Sequence, residues 1–301
     1  MGFKDDSEGQ IFSMDLLIAL IPITIVLGMV AADMDNILYL VQDTVYRGTT
    51  ERAAFDTANA LLETSGTPST WEVTNASNRI AGLAIYDTNT GKPKRDWISP
   101  DKLASLKETD VQNLLGNNYG FYLEVTSSDG NKIWKNVSTN GNGYNSSASD
   151  IVKVEKGVRF AKLNVVSSIE GQIRGVSAPR DYSNPPDQFP TSYLYNQTYD
   201  YYIVTNNSGF SSANVTFNGI YTVILSNLTQ YYKINSTYLN MNQTNPTQFF
   251  NNTVKVSVNG TSSATMNLYI VQVLKNIDTS ELTPSNVVPQ PCKFRLYVWA
   301  K

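Results

Sequence analysis

The segment Glu8-Gly9-Gln10-Ile11-Phe12-Ser13-Met14-Asp15, followed by the apolar run from Leu16 to Ala32, decides how the rest of the chain is read. Between Ile11 and Ala32 the only clearly polar side chains are Ser13, Asp15 and Thr24. A helix over those residues is about 33 Å long at ~1.5 Å per residue, enough to cross a hydrocarbon core. The helical period then continues. Met34, Ile37, Leu38, Val41, Val45, Ala54, Ala58, Leu61 and Leu62 recur three to four residues apart, with polar residues between them. Gly66 and Pro68 supply a stop. Residues 1–9 therefore read as a polar leader and residues 10–66 as one helix with an apolar half and an amphipathic half. Its weak link is Arg47-Gly48-Thr49-Thr50, because Gly and adjacent β-branched residues lower helix propensity.

Asp15 stands at the head of the apolar run, and an ionised carboxylate in hydrocarbon costs about 2.5–3.5 kcal/mol on insertion scales. The first cation downstream is Arg47. A cut after Gly9 creates a closer one, an α-amine one to two helical turns from Asp15, on the same chain or on a neighbour. Pro22 removes one helix hydrogen bond and crowds the carbonyl of Ile18, so a kink or local melting is expected there. Gly28 and Ala32, four apart, let neighbouring helices approach closely.

A short charged leader, Gly9-Gln10, Ser13, Asp15 and the Leu16-Leu17 run together resemble an archaeal type IV pilin-like protein, and more narrowly the class III signal peptide of methanogen pilins. That resemblance implies cleavage between Gly9 and Gln10 by a prepilin peptidase. It also implies insertion in the membrane as a precursor, and assembly of the mature helix with copies of itself by a pilus assembly machinery. Ser13, Asp15, Pro22, Gly28 and Ala32 are the assembly-helix residues on this reading. The usual pattern places the acid at mature position five, whereas one extra residue here places Asp15 at six. Two other readings of the same stretch stand beside it. Val30-Ala31-Ala32 fits a secretory cleavage site, although Lys4 against Asp5, Asp6 and Glu8 gives no basic n-region. An ordinary single-pass anchor without cleavage is the other.

Composition removes whole classes of function. Lys and Arg total 23 against 26 Asp and Glu, a net charge of −3 with no basic patch, so nucleic acid is not an expected partner. Histidine is absent, which excludes His-based acid–base catalysis, Ser-His-Asp and Cys-His systems and His-ligated metals. No paired acidic motif, P-loop, dinucleotide fingerprint or nucleophile elbow occurs, and Asp33-x-Asp35 reads as solvated charge beside the membrane. The expectation is a non-enzymatic chain with no cofactor, no metal and no catalytic residues. The single Cys292, beside a C-terminal strand, is expected to be buried.

The expected fold class is α+β: the long N-terminal helix, then a β-rich, partly mixed α/β head that ends in a β-sandwich-like module. Residues 67–178 read as the mixed α/β part. Gly82–Tyr86 is a short strand, Ser99-Pro100-Asp101 a helix start, Thr109 to Leu115 a second helix closed by Gly116, and Asp129-Gly130 a hairpin turn. Ile151–Val154 and Val158–Val166 read as strands joined at Lys156-Gly157. Trp71, the Gly82 strand, the Ser99 helix and the Tyr119-Gly120-Phe121 strand resemble the head region of the same pilin-like proteins. Residues 179–191, with Pro179, Pro185, Pro186 and Pro190, read as a linker. Residues 192–301 read as a β-rich module with strands at 199–205, 213–217, 220–225, 231–239, 253–258, 265–274 and 293–299.

That module carries the densest chemical signal. Valid Asn-x-Ser/Thr sequons begin at Asn75, Asn136, Asn145, Asn196, Asn206, Asn214, Asn227, Asn235, Asn242, Asn251 and Asn259. Eight of these eleven fall between residues 196 and 261, which points to N-glycosylation of one face, unless an Asn-rich β module simply breeds sequons. Tyr193, Tyr195, Tyr199, Tyr201 and Tyr202 crowd one stretch and read either as strand residues or as a surface that stacks on sugars, with surface glycans as candidate ligands. The expected function is a structural subunit of an extracellular pilus-like filament. The rivals are a membrane-anchored surface glycoprotein or adhesin that does not polymerise, and a secreted carbohydrate-directed protein.

Overall fold

The computed structural model describes residues 7–74, 78–87, 90–141, 143–148, 150–169, 180–181, 187–226 and 228–301. It is α+β, as expected: one long helix with an apolar 21-residue stretch, then a β-rich head. In chain order the elements are α1 (Ser7–Glu63), β1 (Ala84–Asp87), β2 (Lys92–Ile98), α2 (Pro100–Ser105), α3 (Glu108–Leu115), β3 (Tyr119–Ser127), β4 (Ile133–Ser138), β5 (Val152–Phe160) and β6 (Asn164–Ile169). There follow β7 (Arg180–Asp181), β8 (Asp187–Thr191), α4 (Tyr193–Thr198), β9 (Tyr199–Phe217), β10 (Tyr221–Ser226), β11 (Tyr231–Lys233), β12 (Phe250–Leu274), α5 (Pro284–Val287) and β13 (Gln290–Ala300). Two compact units result, residues 1–53 and residues 54–301.

α1 runs unbroken through Pro22 and through the weak link at residues 47–50. Its last turns change character. Ala54, Ala58, Leu61 and Leu62 are fully buried in the second unit. The chain then leaves the helix at Gly66, whose φ of 83° only glycine adopts freely. There the Leu83 and Ala84 N–H groups donate to the carbonyls of Leu61 and Thr64, taking up orphan acceptors of the helix end. Trp71 seals this corner. It is wholly buried and donates its indole N–H to Gly82 O at 2.8 Å.

The first sheet has the order β1-β2-β5-β13-β3-β4, antiparallel except for the β2/β5 pair. Its central strand is the last one in the chain. Phe294, Leu296 and Val298 of β13 point to the buried face, while Arg295 on the other face pairs with Glu124 at 2.9 Å and Glu155 at 3.1 Å. The sequence reading of residues 293–299 as a strand holds, but its partners are β3 and β5 rather than strands of the C-terminal module. Ser99 caps α2 by accepting from Lys102 N, and Gly116 closes α3 at φ 88°, both as read from sequence. Gly157, read as a joint between two strands, lies inside β5, and the break falls instead at residues 161–163. Cys292 is buried, as expected.

The second sheet is built on two long partners, β9 and β12, with β10 and β6 flanking them and β7, β8 and β11 adding short pairings. Sequence left residues 206–212 as a turn between two strands. The backbone instead stays extended, and β9 and β12 pair from Tyr199↔Leu274 to Phe217↔Val254 with register shifts around Gly260. Tyr201 and Ile203 from one half of β9 meet Ala213, Val215 and Phe217 from the other half in a single core. These residues share one parity, so the strand curls over that core. The opposite parity of the first half, Tyr202 and Val204, enters a second core with Tyr269, Val271, Leu282 and Val287. Of the tyrosine cluster, Tyr193 is half-buried at the start of α4 and the other four are buried.

Candidate functional site

Three groups of residues carry the functional content. The first is the apolar length of α1. Gly9 and Gln10 lie in its first turns; their side chains and those of Ser13 and Asp15 fall outside the described residues. Ile18–Leu38 has a mean hydropathy of 1.9 and none of its described residues is buried, a length and composition found in membrane anchors and in signal sequences. From Leu16 to Val45 the described large apolar side chains are each about half exposed or more. Thr24 hides its hydroxyl by donating to the carbonyls of Leu20 (3.1 Å) and Ile21 (2.8 Å), and Thr44 does the same to Leu40 (2.7 Å). Those bonds leave the polar atoms satisfied inside the helix, as a hydrocarbon medium demands. A Cβ built on Gly28 meets nothing within 4 Å, and Ala32 is exposed on the same side one turn later.

The second group is the sequons. Asn136, Asn145, Asn206, Asn214, Asn235 and Asn251 are exposed, and Asn196 and Asn242 half-buried. Asn75 and Asn227, and the side chain of Asn259, lie outside the described residues. Of the 179–191 linker, Arg180–Asp181 and Asp187–Thr191 are short strands paired with β12 rather than free linker, and 179 and 182–186 lie outside the described residues. Asn252, which begins no sequon, is buried. Asn214 stands on the outer face of the second half of β9, directly across from Ile224, one of the most exposed aliphatic side chains in the head. Asn235 and Asn242 form Asx turns. The carboxamide oxygen of Asn235 accepts from Thr237 N at 3.0 Å and its hydroxyl at 2.9 Å, and that of Asn242 from Thr244 N at 2.8 Å.

The third group was not legible in the sequence. Asp101 and Lys102, in the first turn of α2, are buried where the two sheets meet. Asp101 Oδ2 accepts from Asn164 Nδ2 of β6 at 2.8 Å and from Gln272 Nε2 of β12 at 3.0 Å. Tyr201 in turn donates to Gln272 Oε1 at 3.2 Å. Lys102 Nζ donates to the carbonyls of Ser65 and, at 2.8 Å, Ser69. Glu72 accepts from Tyr195 of α4 at 2.6 Å through Oε1, while its Oε2 is buried and bonded to nothing. Loss of water pushes the Asp101 carboxyl up to about 7, and the charge of Glu72 adds to the shift. Burial also pulls the Lys102 ammonium down to about 8, against the attraction of Glu72 and Asp101. Glu72 and Asp101 are thus an acidic pair made by folding, 29 positions apart on different elements, where no paired motif exists in the sequence. Among the described residues, no three His, Cys, Asp or Glu side chains gather as a metal site.

No known protein family, no curated protein and no solved structure matches the chain.

Proposed function

We propose that the chain is a non-enzymatic structural subunit of an extracellular type IV pilus-like filament. It is held in the membrane as a precursor, cut between Gly9 and Gln10, and assembled through α1. One observation carries this reading: a continuous apolar helix surface, unburied by its own chain, precedes a head that folds around its own cores. Each exposed Leu, Ile or Val along it stands to gain on the order of 1 kcal/mol on full burial, so water is a poor medium for it. Identical neighbours bury that surface reciprocally. Ser13 and Asp15 fall in the segment next to the new amine, Pro22 in the region that melts locally on packing, and Gly28 with Ala32 at the close contact between helices.

The N-terminus and intact mass of native surface material test it. The expected chain begins at Gln10, and Gly9→Val leaves the full-length precursor in the membrane with no filaments visible by microscopy. A native chain beginning at Met1 and extracted as a monomer identifies a static surface anchor instead. A chain beginning at Asp33 identifies a secreted protein, and either result defeats the filament reading.

Glycosylation belongs to the same proposal. Sugar at Asn214 covers the apolar patch at Ile224, and the sequons of residues 196–261 give the second sheet a hydrated coat. Peptide mapping of native protein is expected to find glycan within this segment. Thr237→Val is expected to abolish it at Asn235 while leaving the other sequons occupied. Unmodified peptides throughout 196–261 would make the sequons a by-product of composition.

A further inference from the structure

We propose that the cleft between the two sheets is a binding site for a neutral saccharide, a role independent of whether α1 polymerises. The cleft has two connected parts. A polar cavity of about 260 Å³ is lined by Glu72, Lys102, Asn164, Gln188, Tyr195 and Phe249. A larger cavity of about 490 Å³ shares Ile85, Lys94, Asn164 and Val165 with it and continues along Trp97, Tyr269, Val287 and Pro289. Together they offer a polar end and an apolar, aromatic wall, the combination that small-ligand sites use for orientation and for contact area.

The chemistry of the polar end selects the ligand. Glu72 Oε2 is buried with no donor, although its partner oxygen is held by Tyr195. A buried carboxylate oxygen left without a hydrogen bond is costly, and a ligand donor relieves it. Behind Tyr195, and outside the cavity lining, Tyr199 is wholly buried and stacks on it with ring centroids 5.5 Å apart, which fixes the ring that forms the cavity wall. Glu72 takes a donor, while the ammonium of Lys94 and the carboxamide of Gln188 at the same cavity offer donors, so the cavity calls for a molecule that both donates and accepts. Charge narrows the choice. At the polar end the carboxylates Glu72 and Asp87 are matched by the ammonium groups of Lys94 and Lys102, and Arg159 adds one cation along the second cavity, so the polar end itself selects no net charge. A lone divalent ion would need more carboxylates than the described residues gather there. A hydroxyl-rich, uncharged ring meets each condition. Its hydroxyls serve Glu72, Asn164 and Gln188, and its C–H face lies on the rings of Tyr195 and Phe249. The second cavity leaves room for the next sugar residue along Trp97 and Tyr269.

The test uses the full chain in a zwitterionic detergent, since sugar-headed detergents would compete. Saturation-transfer NMR and calorimetry are run with D-glucose, D-mannose, D-galactose, N-acetylglucosamine, maltose and chitobiose. At least one is expected to bind saturably, with the matching disaccharide tighter than the monosaccharide. Glu72→Gln is expected to weaken binding about tenfold or more by removing a charged acceptor, and Gln188→Ala, at an exposed rim position, by a smaller factor. Ile224→Ser, on the outer face of β10, leaves it unchanged. Melting curves of each variant establish that the head is folded. Absence of saturable binding across the panel overturns the proposal, as does binding that Glu72→Gln and Gln188→Ala leave intact. Stabilisation by calcium alone, with none by any sugar, also overturns it and makes the site a cation site.

Discussion

Trp71→Ala is expected to lower the stability of the head by about 3–5 kcal/mol, the range for removing a buried aromatic side chain. The effect is large because three things meet at this ring. The side chain is fully buried, its N–H is the hydrogen-bond donor to Gly82 O, and Arg79 stacks over its face at 5.3 Å. Arg79 is itself fixed by Asp110 of α3, with bonds of 2.9 and 3.0 Å. The ring thus ties the exit of α1 to the first strand and to α3. The backbone has closed around it: a Cβ on Gly66 would stand 2.3 Å from Trp71 Cδ1, and one on Gly82 would stand 2.3 Å from Gly66 N. For a unit of this size the loss corresponds to a fall in melting temperature of about 10 °C. Trp71→Phe keeps most of the volume but orphans the Gly82 carbonyl, and should cost about 1–3 kcal/mol. Thermal unfolding of the full chain in detergent, followed by near-ultraviolet circular dichroism, separates the two. Equal melting points for wild type and Trp71→Ala would show that the corner is not a keystone.

Stability is expected to fall as pH rises from about 4 to about 7, the reverse of the usual acid sensitivity of carboxylates. The Asp101 carboxyl is raised from 3.8 to about 7 in the folded state, mainly by loss of water. A raised folded value means that the protonated form is the one the fold prefers, so its contribution is complete below the unfolded value and is lost as pH climbs through the folded one. A displacement of about three pH units corresponds to roughly 4 kcal/mol at ~1.36 kcal/mol per unit. Lys102 acts in the opposite sense over a separate window. Its ammonium is depressed to about 8, so the fold regains stability between about 8 and the unfolded value of 10.5. The charged groups that bear on both residues are Glu72 and each other. Melting temperature against pH should therefore pass through a minimum near 7 to 8. Asp101→Asn imitates the protonated acid toward Asn164 and Gln272, and is expected to remove the slope between 4 and 7 and to raise the melting point above pH 7. A wild-type profile that climbs through this range, or a slope that persists in Asp101→Asn, would remove Asp101 as the cause.

Much of the fold follows from local patterns that the sequence displays openly. The apolar run of α1, the Ser99 cap with Pro100 behind it, Gly116 after α3 and Gly130 in the β3–β4 hairpin are all fixed by residues within a turn of the feature they create. What was not legible depends on partners far along the chain. Asn206-Asn207-Ser208-Gly209 has the composition of a turn, yet Asn267, Met266 and Thr265 of β12 pair with Asn206, Asn207 and Ser208 and keep β9 extended there. Gly157 reads as a break, but β5 continues through it because β13 pairs across that point, Lys293 against Gly157. The tyrosine cluster follows the strand alternation, yet two cores take both parities, so Tyr201 and Tyr202 are buried on opposite faces. The Glu72–Asp101 junction is the extreme case. No spacing rule links a loop carboxylate to a capped helix, and the groups that bind them come from β6, β12 and α4.

The position of β13 has a consequence for how the molecule comes into being. β3 and β5 are complete early, but each faces the other only through the closing strand, Gln290–Ala300. A chain delivered from its N-terminus must hold both as open edges until Gln290–Ala300 arrives, with the slow search that distant pairings impose. A product that stops short of Gln290 has no middle to its first sheet. Such a product presents two adhesive edges to whatever quality control it meets, while a chain that carries Gln290–Ala300 closes them.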